Sequence, residues 1–220
     1  SAAQQPSTPS DLKFDAKSLP FPAHSLEQVL NMSQGELEKL LTLVYKAVGG
    51  QDYSIAKKLD VLCYFETLCS DTQAANLLIN SSLMKLFVKM LKTYKSPMIK
   101  CRLCTIMGLL IRHATFISKD LYNINIFEIL MLLTRDANQK VKHKALATLG
   151  ELLFYVATQT NNNNNTNTLV EQWAAPHEAI DLVISFLKMS DQATADVDEV
   201  LQHYAAKTIE NVSIEEIYVF

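Results

Sequence analysis

Four cysteines are the residues of this chain that could bind a metal ion or exchange a disulfide. Cys101 and Cys104 form a CxxC pair, and Cys63 and Cys69 lie upstream of it. A structural zinc site needs a second pair of ligands, and a redox CxxC follows a strand. Neither accompanies this pair, and all four cysteines lie in apolar helical patterns, where cysteine packs as a small hydrophobe. We therefore expect structural thiols, without a metal or another cofactor.

Histidines and carboxylates could act as general acids and bases, but their positions indicate structural roles. His143 and His203 stand at equivalent positions of an internal repeat, as expected for packing or capping at the start of a helix. Paired carboxylates such as Glu215 and Glu216 are typical of a solvated helix face. The five glycines form neither a GxGxxG nor a Walker phosphate loop. These patterns predict that the chain has no catalytic residues.

The composition predicts an all-α protein. Hydrophobic residues make up 49% and charged residues 20% of the chain, and its few glycines argue against tightly turned sheets. The longest apolar stretch, 103–111, is about half of the ~20 residues that span a bilayer, so it predicts a buried helix and no membrane anchor. With a net charge of −3 and scattered basic residues, we expect no binding of nucleic acid. The absence of a leader pattern predicts a cytosolic segment.

Local patterns divide the chain into a linker and a helical domain. Residues 1–24 hold four of the six prolines and little periodicity, which predicts a flexible linker. Residues 25–220 show helical periodicity and predict a repeat domain with an Asn-rich loop insertion near 159–168. Its apolar end suggests truncation at the C-terminus, so we expect a piece of a longer protein. Helices are predicted at 26–31, 34–48, 52–69, 72–79, 81–94, 97–113, 118–121, 124–134, 138–158, 168–173, 177–189 and 195–213.

The helical domain repeats itself. The helix that begins at Val141 has counterparts beginning at Ile55, Ile99 and Leu201, which gives spacings of 44, 42 and 60 residues. The longest spacing contains the polar asparagine tract, and surface loops tolerate such insertions at little entropic cost. A period in the low forties with two or three helices is typical of armadillo and HEAT repeats. We therefore predict a right-handed armadillo/HEAT-type α-solenoid of about four to five repeats.

Resemblance to armadillo proteins implies where a partner binds, because their third helices line a concave groove. The matching positions are Val61 and Phe65, Thr105 and Leu109, Ala147 and Glu151, and Lys207 and Asn211. Armadillo proteins that bind nuclear-import peptides carry a Trp four residues before an Asn; only Asn211 keeps a family residue, and the sole Trp is Trp173. We expect an amphipathic helix or hydrophobic peptide to dock at the N-terminal half of the groove. Packing between repeats is the alternative for Phe65 and Leu109.

Four strings carry a closer resemblance: AANLLIN (74–80), GLLIRHAT (108–115), LGELLFYVATQ (149–159) and HYAAKTIENV (203–212). Together they resemble the C-terminal helical-repeat region of the Fused-like branch of the Unc-51-like kinases, a branch that includes a pseudokinase. The likeness extends from about Leu19 to Asn211. It implies a non-catalytic scaffold, monomeric as a fragment, that is joined to an N-terminal kinase or pseudokinase domain.

The resemblance also implies partners and a location. Members are associated with microtubule-based structures, so we expect cytoskeletal, ciliary or kinase partners, with a Fused-type kinase among the candidates. The implied location is cytoplasmic, at a cilium, a basal body or a cytokinetic array. Microtubules themselves are a weaker candidate, because only short basic runs occur, such as Lys140, Lys142 and Lys144 or Lys57 and Lys58. The alternative function is a substrate-recruiting accessory region of an active serine/threonine kinase.

Overall fold

The computed structural model describes residues 14–163, 174–188 and 198–217, and helices are the only regular elements in these ranges. The α-helices are α1 (Leu26–Leu30), α2 (Gln34–Gly49), α3 (Ile55–Leu68), α4 (Thr72–Ile79), α5 (Leu83–Thr93), α6 (Pro97–His113), α7 (Asp120–Asn123), α8 (Ile126–Leu133), α9 (Gln139–Asn163), α10 (His177–Lys188) and α11 (Glu199–Ile217). A 3-10 turn at Ala16–Ser18 precedes them. The predicted helix 168–173 lies outside the described residues, and α9 continues beyond its predicted end.

Capping residues explain where several helices begin. The Ser33 side chain accepts a hydrogen bond from the amide of Glu36, and the Glu36 carboxylate accepts one from the Ser33 amide. These hydrogen bonds from Ser33 lower the pKa of Glu36. Asp71 caps α4 in a similar way, and Pro97 opens α6, where its missing N–H costs nothing. Asn125, in the left-handed conformation at φ 62°, precedes α8.

The chain forms two compact units, residues 1–116 (unit 1) and 117–220 (unit 2). In unit 1, α3 and α6 pack against each other, and Glu66 of α3 forms an ion pair with Arg102 of α6. The buried Lys58 donates hydrogen bonds to the Gly50 carbonyl and the Tyr94 hydroxyl. Large side chains fill the interior, among them Tyr64, Phe65, Met84, Phe87, Met90 and Leu103.

The N-terminal segment (residues 14–24) packs on α3. The rings of Phe14 and Phe21 lie 5.6 and 5.4 Å from the Tyr64 ring, and the Tyr64 hydroxyl donates a hydrogen bond to the His24 carbonyl at 3.0 Å. This part of the predicted linker is therefore attached to the helical domain, because its aromatic side chains find buried rings to contact. The remainder of the predicted linker, before Phe14, lies outside the described residues.

In unit 2, α9 packs against α8 and α11. Val141, Ala145 and Leu149 of α9 are fully buried, and so is Ala205 of α11. The four helices that the predicted repeat places in register correspond to α3 and α6 in unit 1 and to α9 and α11 in unit 2. Within the described ranges, no helix combines the length and the apolar character needed to cross a bilayer.

Candidate functional site

The first pair of predicted groove residues lies inside unit 1. Val61 and Phe65 expose 0% and 1% of their surface. The Phe65 ring contacts Tyr64 at 5.2 Å and Phe21 of the N-terminal segment at 6.4 Å. Both side chains are therefore packed inside unit 1, and a partner would reach neither of them without first uncovering it.

Polar contacts hold the N-terminal segment in place beside these residues. The Ser18 hydroxyl donates a hydrogen bond to the Asp60 carboxylate at 2.6 Å, and the Asp15 amide donates to the same carboxylate at 3.3 Å. Burial raises the pKa of Tyr64 to about 12. Asp60 and Tyr64 are one helical turn apart on α3, so together they fix both the polar and the apolar parts of the segment.

The second pair, Thr105 and Leu109, lies on α6 and is half-buried. The two residues are four apart and so share one face of the helix. The Thr105 hydroxyl donates a hydrogen bond to the Cys101 carbonyl at 3.0 Å within the same helix. Thus Leu109 is the apolar member of the predicted groove in unit 1 that keeps part of its surface open. Its role in docking stays a prediction.

Unit 2 contains the remaining groove candidates on two adjacent helices. Ala147 and Glu151 of α9 and Asn211 of α11 are half-buried. Lys207 of α11 is exposed, and its ammonium group lies 3.2 Å from the Glu210 carboxylate. Each of the two helices therefore presents a polar side chain at the predicted groove position. Binding of a partner at these residues also stays a prediction.

A histidine–aspartate pair joins α9 to the start of α11. His143 Nε2 lies 2.8 Å from both carboxylate oxygens of Asp198, which also accepts hydrogen bonds from the Leu201 amide and the Gln139 side chain. Burial opposes ionisation of Asp198, but the hydrogen bonds outweigh it and lower the pKa. His143 therefore makes a structural contact of the predicted kind, between a helix and the residue that precedes another helix. His203, at the equivalent repeat position, is exposed. Sequence reasoning missed Asp198, although an aspartate directly before a helix is a capping signal.

The cysteines are free thiols, and Cys63, Cys69 and Cys104 are buried. Burial raises the pKa of Cys63 and of Cys69, so both favour the unreactive protonated form. The Cys69 thiol donates to the Phe65 carbonyl at 3.1 Å. In the ranges that the structure describes, no cluster of His, Cys, Asp and Glu could hold a metal ion.

The predicted basic runs differ in accessibility. Lys140 and Lys144 are exposed and Lys142 is half-buried, whereas Lys58 is buried and contributes nothing to the surface charge beside Lys57. A larger basic surface on α5 was missed. Its signal was present in the sequence, because the chain has no acidic residue between Asp71 and Asp120. The near-neutral total charge had concealed this local excess.

Comparison with known proteins identifies related sequences. The chain is 32% identical to "Serine/threonine-protein kinase RUNKEL" of Arabidopsis thaliana over 97% of its length. It is 29% identical to "Serine/threonine-protein kinase ULK4" of Mus musculus over 91% of its length. This chain is homologous to a C-terminal region of both proteins. It spans 16% and 15% of the length of these relatives. No protein-family model matches it.

Two solved structures with a similar helical arrangement are engineered proteins. One engineered protein matches 87% of this chain, with 43% of its own chain covered, at a TM-score of 0.57 and 12% identity. A second matches 88% of this chain and is covered over 89% of its own, at a TM-score of 0.50 and 12% identity. These likenesses show the fold alone. The predicted all-α class is confirmed for the described residues, and their helical arrangement is that of an α-solenoid. The armadillo/HEAT type stays a prediction. The handedness and the number of repeats stay predictions.

The homologous region is not a kinase domain. Kinases hold the ATP phosphates with a lysine on a β-strand and with Mg²⁺ ions that an aspartate and an asparagine on loops bind. The described parts of this chain contain helices and no strand. The chain is therefore a non-kinase region related to parts of proteins that are named as kinases.

Proposed function

We propose that this chain is a non-catalytic protein-interaction scaffold of a Fused-like Unc-51-like pseudokinase. The observation that carries the proposal is homology over nearly the whole chain to proteins named as kinases, combined with an all-helical fold in the described residues. Stacked helical repeats characteristically provide extended surfaces for binding other proteins. The scaffold would place a kinase or pseudokinase domain of the same polypeptide beside its partners.

The partners that we propose are cytoskeletal or ciliary proteins and other kinases, including a Fused-type kinase. The proposed location is the cytoplasm, at a cilium, a basal body or a cytokinetic array. Family resemblance supports this choice of partners. The exposed Lys140 and Lys144 would add electrostatic attraction toward acidic partners such as microtubules.

The docking surface that we propose in unit 1 begins on α6, at Thr105 and Leu109. The equivalent side chains on α3 are covered, so an amphipathic helix or hydrophobic peptide would meet the partly open Leu109 first. Leu109 would contact the apolar side of such a ligand, and the Thr105 hydroxyl on the same helix face would meet its polar edge.

The test is a Leu109→Glu substitution in the full-length protein, followed by affinity capture from ciliated or dividing cells. The matched control is Leu132→Glu, which places the same charge on a leucine that is already 64% exposed. We expect Leu109→Glu to lose a defined set of partners that the wild type and the control retain, while helicity measured by circular dichroism is unchanged. Identical sets of captured proteins from all three would contradict the proposed surface.

The alternative function is a substrate-recruiting accessory region of an active kinase, and the names of both relatives, which call them serine/threonine-protein kinases, favour it. An active enzyme needs the strand lysine and the aspartates of its HRD and DFG motifs. Phosphate transfer from ATP by the full-length protein distinguishes the two functions. The alternative predicts that Leu109→Glu abolishes phosphorylation of captured partners and spares phosphorylation of a generic peptide. No transfer under any condition would support the scaffold.

A further inference from the structure

Positive charge is concentrated in one stretch of the chain. Residues 72–119 contain six lysines and two arginines but no aspartate or glutamate. Their net charge of +8 stands against −3 for the whole chain, so the remaining residues carry −11. Such segregation creates a local field that the overall charge conceals.

Helix α5 presents the densest part of this charge on a single face. Lys85, Lys89 and Lys92 follow one another at spacings of four and three residues, which places them on one side of the helix, and all three are exposed. Lys95, just beyond the helix, is exposed as well. We call Lys85, Lys89 and Lys92 the lysine stripe. The apolar residues of α5 are all buried: Leu83, Met84, Leu86, Phe87, Val88, Met90 and Leu91.

Two features of the lysine stripe are unfavourable for the helix that carries it, although Lys92, in the last turn, interacts favourably with the helix dipole. Lys85 stands in the first turn, where the helix dipole disfavours a cation, and the N-cap Ser82 makes no side-chain hydrogen bond there. Like charges three and four residues apart also repel. Within the described ranges, no carboxylate forms an ion pair with these lysines. An external anion would relieve all of these costs together.

We propose that the lysine stripe is a docking surface for an acidic peptide segment of a partner protein. The inference deepens the protein-binding function proposed above and rests on it, but it uses a different helix from Leu109. The stripe spans about 10 Å along the helix axis. In an extended peptide, side chains on one face recur about every 7 Å. Two or three carboxylates at alternate positions would therefore reach the three ammonium groups.

The same surface fits an anionic membrane poorly. A helix that lies on a bilayer inserts its apolar face between the lipids. On α5 that face is already buried in unit 1, and its large residues, such as Phe87 and Leu91, have almost no exposed surface. Helix α5 itself therefore offers no apolar anchor to a lipid surface.

A nucleic acid fits less well than a short acidic peptide. The stripe contains lysines rather than arginines, which provide the planar fork suited to phosphate. No exposed aromatic side chain on α5 is available for base stacking, because Phe87 is buried. A long polyanion would also extend beyond the stripe into the field of the remaining residues, which are acidic in sum.

The experiment measures binding of a fluorescein-labelled peptide of alternating glutamate and serine by fluorescence anisotropy. The test variant carries Lys85→Glu, Lys89→Glu and Lys92→Glu, and a milder version carries glutamine at the same sites in case the reversal disturbs folding. The matched control reverses three exposed lysines on other helices, Lys39, Lys46 and Lys57, so both variants change the net charge equally. We expect about a tenfold or greater loss of affinity for the test variant and little loss for the control.

Further measurements separate the possible outcomes. Wild-type binding should weaken as salt is raised from about 0.05 to 0.3 M, because the charges are exposed. Leu109→Glu should leave peptide binding intact, so that failure of the α6 surface and failure of the stripe are distinguishable. Equal losses in test and control variants would overturn the proposal, as would no peptide binding at low salt. Tighter, stripe-dependent binding of oligo-dT or of phosphatidylserine vesicles would also overturn it.

Discussion

Helices α3 and α9 begin at equivalent positions of the predicted repeat, yet elements of different kinds pack against them. On α3 of unit 1, the aromatic Tyr64 and Phe65 receive the rings of the N-terminal segment. On α9 of unit 2, Gly150 lets Thr208 of α11 approach so closely that a Cβ atom at Gly150 would collide with the Thr208 hydroxyl. One helix is thus covered by an extended segment and the other by a close helix crossing.

This difference shows what a repeat register does and does not determine. The register determines at which residue each repeated helix begins. It does not determine how deeply that residue is buried, since Ile99 and Val141 are buried whereas Ile55 is 44% exposed. The covering element depends instead on side-chain size at a few positions. A bulky aromatic surface can bind a short segment through its rings, whereas a glycine allows another helix to pack at short distance.

The largest expected effect comes from breaking the aromatic contact on α3. Phe65→Ala removes a fully buried ring that touches the N-terminal segment, and we expect a loss of about 3–5 kcal/mol in the free energy of unfolding. The control is Leu109→Ala at the equivalent position of α6, which is half-buried and should cost only about 1 kcal/mol. Urea denaturation followed by circular dichroism measures both. Equal losses in the free energy of unfolding would contradict the difference in burial between Phe65 and Leu109.

A smaller effect should follow from closing the space at Gly150. In Gly150→Ala the new methyl group meets the buried Thr208 hydroxyl, which donates to the Tyr204 carbonyl at 2.8 Å. Overpacking should outweigh the better helix propensity of alanine and leave a net loss of about 1–2 kcal/mol. The control is Gly35→Ala, where an added Cβ would meet nothing within 4 Å apart from its chain neighbours and the backbone of its own helix, so stability should stay the same or rise. Adding Thr208→Ala to Gly150→Ala should recover part of the loss; no recovery would place the strain elsewhere.

Local signals made most helices predictable, whereas the covering contacts are non-local. Ser33 before α2 and Pro97 at the start of α6 are capping signals that can be read from neighbouring residues. The contact of Phe21 with Phe65 joins a proline-rich segment to a helix far along the chain, and no local pattern predicts it. His143 and Asp198 are likewise 55 residues apart. Predicting the groove residues from register alone therefore placed Phe65 on a surface that another segment covers.

The pair of His143 and Asp198 predicts the smallest effect, a pH dependence in the packing of α9 with α11. The pKa of Asp198 is lowered in the folded protein, so its ionised form stabilises the fold above its unfolded pKa of about 4, and this contribution is lost as the pH falls through the folded pKa. Asp198→Asn keeps the size and the capping oxygen but removes the charge. We expect its Tm to lie a few degrees or less below the wild-type value at pH 6, and this difference to be smaller at pH 3. The control is Asp52→Asn, at an exposed aspartate between α2 and α3. If the Tm difference for Asp198→Asn were the same at both pH values, the carboxylate would contribute by shape alone, and its charge would play no part in the packing of α9 with α11.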